Sequence, residues 1–310
     1  MLFNTVSQKT VSQKLVFDYF LAGSLILLMG LFAIWANDIE IVLPELAALS
    51  AGCFIYKKAS WNANPKMLFI LPSITAFMGF GINMLSISLA LKIALVLLLI
   101  FLLFYFSKNV LAPAIATGLL PIITNCHSVY FLISTLVFTL ILAAFVQLKY
   151  QSGEKVAKEI VPFRTFFAYF SIITIWISFC YYNDYHYMLA IPPVIVVGLE
   201  MISGPVIKLQ PVLLKTTLLV VSSLIGGYIY LYISDLLLVL LVNFVVISLF
   251  LAVFKQKMAP AYAIALLPIV LKNQEPLHFA LYVFFICCAI FGGAYISKLM
   301  YNKFFNPHSI

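Results

Sequence analysis

Two stretches decide how this chain is read. Leu111-Ala-Pro-Ala-Ile-Ala-Thr-Gly-Leu-Leu-Pro-Ile122 matches Met258-Ala-Pro-Ala-Tyr-Ala-Ile-Ala-Leu-Leu-Pro-Ile269 at eight of twelve positions, at an offset of 147 residues. Apolar runs match easily by composition, so the weight falls on the breakers around them. Asn37-Asp38 pairs with Asn183-Asp184, Pro44 with Pro192, Pro65 with Pro211 and Gly79 with Gly226, all in the same order. A fixed period with breakers in register is the signature of an internal repeat. The chain therefore divides into residues 1–149, a polar linker at 150–162, and residues 163–310.

The composition sets the environment. The 310 residues are 65% apolar, against 45–50% in soluble domains, and only 28 are charged. Mean hydropathy is +1.13. So few charges cannot cover the surface of a water-soluble chain of this size, which excludes an ordinary cytosolic enzyme, a disordered protein and a nucleic-acid reader. The net charge of +8 comes from lysines spread singly between apolar runs, not from a basic patch. The expected partners are the lipid bilayer and a small-molecule or ionic solute, with no nucleic acid; a homo-oligomer is left open.

Twelve apolar segments follow one another at roughly 17–36, 41–56, 67–88, 89–106, 111–124, 129–149, 163–182, 187–203, 210–231, 236–254, 258–271 and 277–299. The first is 20 residues long, enough to span about 30 Å of hydrocarbon, and is read as a retained transmembrane helix. Backbone polar groups in lipid must be satisfied within a segment, and these runs are too long and uniformly apolar for barrel strands. The expected fold is all-α: about twelve transmembrane helices in two parallel six-helix repeats, related by an axis along the membrane normal. Segments 111–124 and 258–271 are the shortest, and their crossing is open. With the N-terminus inside and twelve crossings, 15 of the 18 basic residues fall on the inner side. That is the positive-inside pattern, and it puts both termini and the linker in the cytoplasm of a bacterial-type inner membrane. Dropping the two short crossings would carry Lys149, Lys155, Lys158 and Arg164 outside and spoil the pattern.

The order of motifs in the second half is similar to that of the HPP family of integral membrane proteins. It runs Ile191-Pro-Pro-Val, then Ser203-Gly-Pro-Val-Ile-Lys-Leu-Gln-Pro211, a span with Gly226-Gly227, and Met258-Ala-Pro-Ala-Tyr-Ala. The resemblance covers about 186–271. A weaker echo in the first half uses Leu43-Pro44, Trp61-Asn-Ala-Asn-Pro65 and Leu111-Ala-Pro-Ala114. It implies two HPP-like units fused in tandem, and a membrane protein that moves small solutes; some plant members of the family are linked to nitrite transport. The family's signature His and first Pro are absent, with Met258-Ala259 and Leu111-Ala112 in their place. No role of that His carries over.

The residues that could carry chemistry are few. Pro113 and Pro121 bracket one short segment, and Pro260 and Pro268 the other. Proline removes a backbone donor and frees a carbonyl one turn back, while the alanines between them admit close backbone approach. Short, interrupted segments at matching places in two halves point to a transporter's central site; the same features also suit tightly packed kinked helices with no ligand. Glu45, Glu200 and Lys215 fall within or near the ends of spans, where an ionisable group costs about 2.5–3.5 kcal/mol at the membrane centre. Glu45 is placed near the outer face. Glu200 and Lys215 sit at similar inner depth and are expected to pair, although Lys215 could instead snorkel to water. His127, His186 and His278 are scattered near the outer face, where Lys92 is expected to snorkel. The five cysteines are read as apolar packing residues. No nucleotide-binding loop, metalloprotease motif or nucleophile elbow is present, so no cofactor, metal or catalytic residue is assigned. The function expected is a permease for a small solute, with anions among the candidates, lacking an ATPase of its own. The alternatives are a membrane-embedded subunit or an enzyme of unknown activity.

Overall fold

The computed structural model describes residues 2–150, 161–204, 208–271 and 275–305, with side chains described between 13 and 300. The linker at 150–162 therefore lies almost wholly outside the described residues. Among those described, the chain is all-helical, 83% helix with no strand. It is a multi-pass helical protein by length and composition: eight helices are long and apolar enough to cross a membrane.

These eight are α1 (Leu2–Trp35), α4 (Pro65–Asn83), α5 (Leu89–Ser107), α7 (Val129–Tyr150), α8 (Phe163–Tyr182), α10 (Leu209–Tyr232), α11 (Leu236–Val253) and α13 (Pro276–Phe305). Four more apolar segments are helical but short. They are α2 (Pro44–Ser50), continued by a wider turn over Ala51–Ile55, α6 (Pro113–Ile123), α9 (Pro192–Ser203) and α12 (Pro260–Leu271). A one-turn helix, α3 (Ala59–Asn62), completes the set. Two short helices are thus expected from the sequence and four are found. The runs at 41–56 and 187–203 read as spans in the sequence, but Pro44 and Pro192 start their helices late. The residues before them, Leu43 and Ile191, are extended, as a following proline requires.

Local chemistry sets the boundaries. Ser88 caps α5 by accepting from the Leu91 amide at 3.4 Å, and Asp235 caps α11 by accepting from Leu238 at 2.8 Å. Both side chains use the first-turn amides left without intrahelical partners. Asn37, Lys108, Asp184 and Lys255 have φ between 51° and 58°, the left-handed turn that ends a helix. Each of these features recurs at the offset of the sequence repeat: Ser88 with Asp235, Asn37 with Asp184, Lys108 with Lys255. The first turns of α6 and α12 also close through the same bonds. Ala114 and Ile115 donate to Leu111 and Ala112, and Ala261 and Tyr262 donate to Met258 and Ala259.

The helix pairs recur in the same way. α4 packs on α6 and α7, and α10 packs on α12 and α13. α1 packs on α11, and α8 on α5. At the centre, α2 contacts α12 and α6, while α9 contacts α6 and α12. The four short helices therefore form a ring, α2–α6–α9–α12, enclosed by the long ones. Every residue of α2, and α6 from Pro113 to Ile122, is buried; so is α12 from Pro260 to Val270, and α9 except Glu200 and its terminal Ser203. The outer faces of the long helices carry the exposed apolar side chains, such as Phe20, Leu91, Leu140, Ile175 and Leu249. An apolar exterior of this kind suits lipid. Cys53, Cys126, Cys180 and Cys287 are buried as packing residues, whereas Cys288 is exposed; all five are free thiols.

Candidate functional site

Pro113, Pro121, Pro260 and Pro268 all lie in the ring and are buried. Pro121 stands four residues after Thr117, and Pro268 four after Ile264. The carbonyls of Thr117 and Ile264 therefore lack the amide that would normally close their turn. α6 and α12 do not pack principally on each other, as a direct approach of the two segments would require. Each instead contacts both α2 and α9, which stand between them around the ring.

Glu45 belongs to the interior of this ring. It is the second residue of α2 and only 3% exposed. Its carboxyl engages its own backbone amide and the hydroxyl of Thr117, the fifth residue of α6. The position of Glu45 in its run places it near the outer face; in the structure it stands level with the middle of α6. One oxygen, Oε1, is buried without a hydrogen-bond partner, a costly state for a carboxyl group. Sequence reasoning misses Thr117. A threonine amid Pro, Ala and Gly in a short segment is the signal that could have found it.

A second polar cluster marks one end of the bundle. Asp18, 2% exposed on α1, is ion-paired to Lys57 at 2.8 Å and to Lys149 on α7. Lys58 pairs with Glu200 of α9 at 2.7 Å and stands 4.1 Å from the centroid of the Trp61 ring. This corrects the expected Glu200–Lys215 pair. The direct partner of Glu200 comes from the other half of the chain, while Lys215 on α10 lies close enough to feel both charges. Lys298 of α13 donates to the Gly204 carbonyl at this end. Sequence reasoning also misses Asp18, although it is the second residue of the first apolar run, where a lone carboxylate needs a partner.

The opposite end is held by different groups. Asp38 accepts from the Glu40 amide at 2.9 Å and from the Ser128 hydroxyl, and Glu40 accepts from the Ser128 amide at 3.3 Å. Lys92 donates to the carbonyl of Asn83, the last residue of α4, at 2.7 Å. His127, His186 and His278 are exposed and apart; His186 is 3.8 Å from Asp184 and His278 is 3.0 Å from Glu275. A cavity of about 140 Å³ opens here at the ends of α6 and α12 and the start of α9. Ile123, Ile191, Leu271, Phe279 and Tyr282 are among its lining residues. The Asp18 and Asp38 ends are separated by the length of α1. Its 17 steps from Asp18 to Trp35 give about 26 Å at 1.5 Å per residue, close to the thickness of a hydrocarbon core.

Among the described residues, no three His, Cys, Asp or Glu side chains come together as a metal site would need. No family model, no curated protein and no solved structure matches this chain.

Proposed function

We propose that this protein is a permease of the cell membrane for a small solute, with anions the first class to test, and that the solute path follows the ring of four short helices. One observation carries the reading. Four proline-started helices too short to span alone are buried at the centre of the bundle, not placed against lipid. Interrupted helices at the interface of two halves are how transporters expose backbone groups to a solute. The carbonyls of Thr117 and Ile264, freed by Pro121 and Pro268, are groups of this kind, and Glu45 is the acid within the ring.

The finer architecture belongs to the same proposal. Two parallel six-helix repeats, 1–149 and 163–310, make twelve crossings, with both termini and the linker in the cytoplasm. Caps, left-handed turns and helix pairs that recur in register between the halves support the repeat. The collection of Lys57, Lys58, Lys149, Lys215 and Lys298 at one end supports placing that end inside. On this reading Glu200 and Lys215 guard the inner mouth. The HPP-like order of motifs, from Ile191-Pro-Pro-Val to Met258-Ala-Pro-Ala, is consistent with a small-solute carrier.

Stopped-flow swelling of proteoliposomes tests the function. Nitrite, nitrate, formate and acetate serve as anions, and urea and glycerol as neutral controls. At least one solute should enter faster than into protein-free vesicles. Pro121→Leu or Pro268→Leu, which restores the amide that the Thr117 or Ile264 carbonyl lacks, should slow it about tenfold without loss of membrane insertion. Entry at the protein-free rate for every solute would overturn the permease reading.

A further inference from the structure

We infer that Glu45 is a proton-binding site at the membrane centre, its carboxyl carrying an exchangeable proton at neutral pH. The inference rests on reading the four-helix ring as the centre of a membrane protein, but not on which solute, if any, passes through it.

The surroundings of Glu45 hold nothing else that could neutralise it. α6 contributes no ionisable side chain over its whole length, Pro113–Ile123. On α12 the Tyr262 hydroxyl is engaged with Ser248 at 2.9 Å and Tyr56 at 3.5 Å. On α1, Asp18 is held by Lys57 and Lys149, and the latter is the cation of α7. The remaining titratable side chain of α1 in this region, Tyr19, lies beside the Phe244 ring. The turn before α2 offers Asp38 and Glu40, both turned to Ser128. Among the described residues, no Lys, Arg or His forms an ion pair with Glu45. A bare carboxylate with one orphaned oxygen in an apolar core is strongly disfavoured, and such a group neutralises itself by taking a proton.

The hydrogen bonding leaves one oxygen for the proton. The Thr117 hydroxyl and the Glu45 amide serve the carboxyl, but Oε1 is buried with no hydrogen-bond partner. A metal cation is a poor alternative. Sodium-sized ions gather about six oxygens, and this site offers fewer: the Glu45 carboxyl, the Thr117 hydroxyl and the Thr117 carbonyl freed by Pro121. The acid is also no requirement of the scaffold, because the matching places in the second half hold Pro193 and Ile264.

Infrared spectroscopy of the full-length protein in lipid vesicles tests this. A protonated-carboxyl carbonyl band should be present at neutral pH, shift in D₂O, and disappear in Glu45→Gln. Thr117→Val should keep the band but move its frequency. Loss of the band when sodium chloride replaces choline chloride would identify a cation as the occupant and overturn the proposal, as would a spectrum unchanged by Glu45→Gln. If Glu45→Gln does not insert, dicyclohexylcarbodiimide, which adds to protonated carboxyls in apolar sites, supplies the second measurement on the unmodified chain. A mass increment on the Glu45 peptide at neutral pH is expected, and its absence overturns the inference. Swelling data bear on the permease reading alone, so the two can fail separately.

Discussion

Gly79 of α4 rests directly on the carbonyl oxygen of Gly118 in α6: a Cβ added to Gly79 would lie 1.9 Å from it. The same relationship holds at the matching place in the second half, where a Cβ on Gly226 of α10 would lie 2.0 Å from the Ala265 carbonyl of α12. In lipid, helix association depends on such close packing because no hydrophobic drive separates protein from solvent. The obstacle in both cases is backbone, which cannot rotate aside.

Gly79→Ala and Gly226→Ala should therefore each destabilise the fold, by about 1–3 kcal/mol as for overpacked cores. Thermal unfolding in detergent would show this as a lowered Tm for both. Gly81→Ala is the control, since nothing lies within 4 Å of its Cβ position. Equal Tm values for all three would mean that α4 and α10 do not approach the ring this closely.

The two ion-pair systems at the lysine-rich end should differ in strength. Lys58 and Glu200 are about a quarter exposed, so a double-mutant cycle with Lys58→Met and Glu200→Gln should give about 0.5–1 kcal/mol of coupling. Asp18 is buried and serves two lysines. Asp18→Asn should cost more, about 2 kcal/mol, somewhat below a fully buried pair because Lys57 and Lys149 stay partly in water. Chemical denaturation of the two single variants, their combination and Asp18→Asn checks the order.

Orientation is open to labelling. A cysteine at Ser152, introduced after replacing Cys288, should react with an impermeant maleimide only after the cells are opened. Efficient reaction in sealed cells would place the 150–162 linker outside and reverse the assignment of the lysine-rich end.

Lys215→Met should lower the entry rate of an anion several-fold while leaving urea or glycerol unchanged, if Lys215 and Lys58 attract solute to the inner mouth. The anion effect should shrink at high salt, where surface attraction is screened. Equal slowing of charged and neutral solutes would assign Lys215 a packing role instead.

Much of this protein is written locally. Apolar runs, prolines at helix starts and polar residues at their ends act over a few residues, so the helical segments from 17–36 to 277–299 can be traced in the sequence and recur as helices. The burial of α6 and α12 was suggested by their length and by their paired prolines. That α2 and α9 join them was hidden, because an apolar run reads the same whether lipid or protein surrounds it; only the late starts at Pro44 and Pro192 hinted at short helices. Tertiary structure alone decided the partners. Lys58 meets Glu200 from the other half of the chain, and Glu45 meets Thr117 of α6, because neighbours follow from how helices stack. Composition determined a membrane environment, since 28 charges cannot solvate 310 residues; packing determined which of the few polar groups would be left alone in its interior.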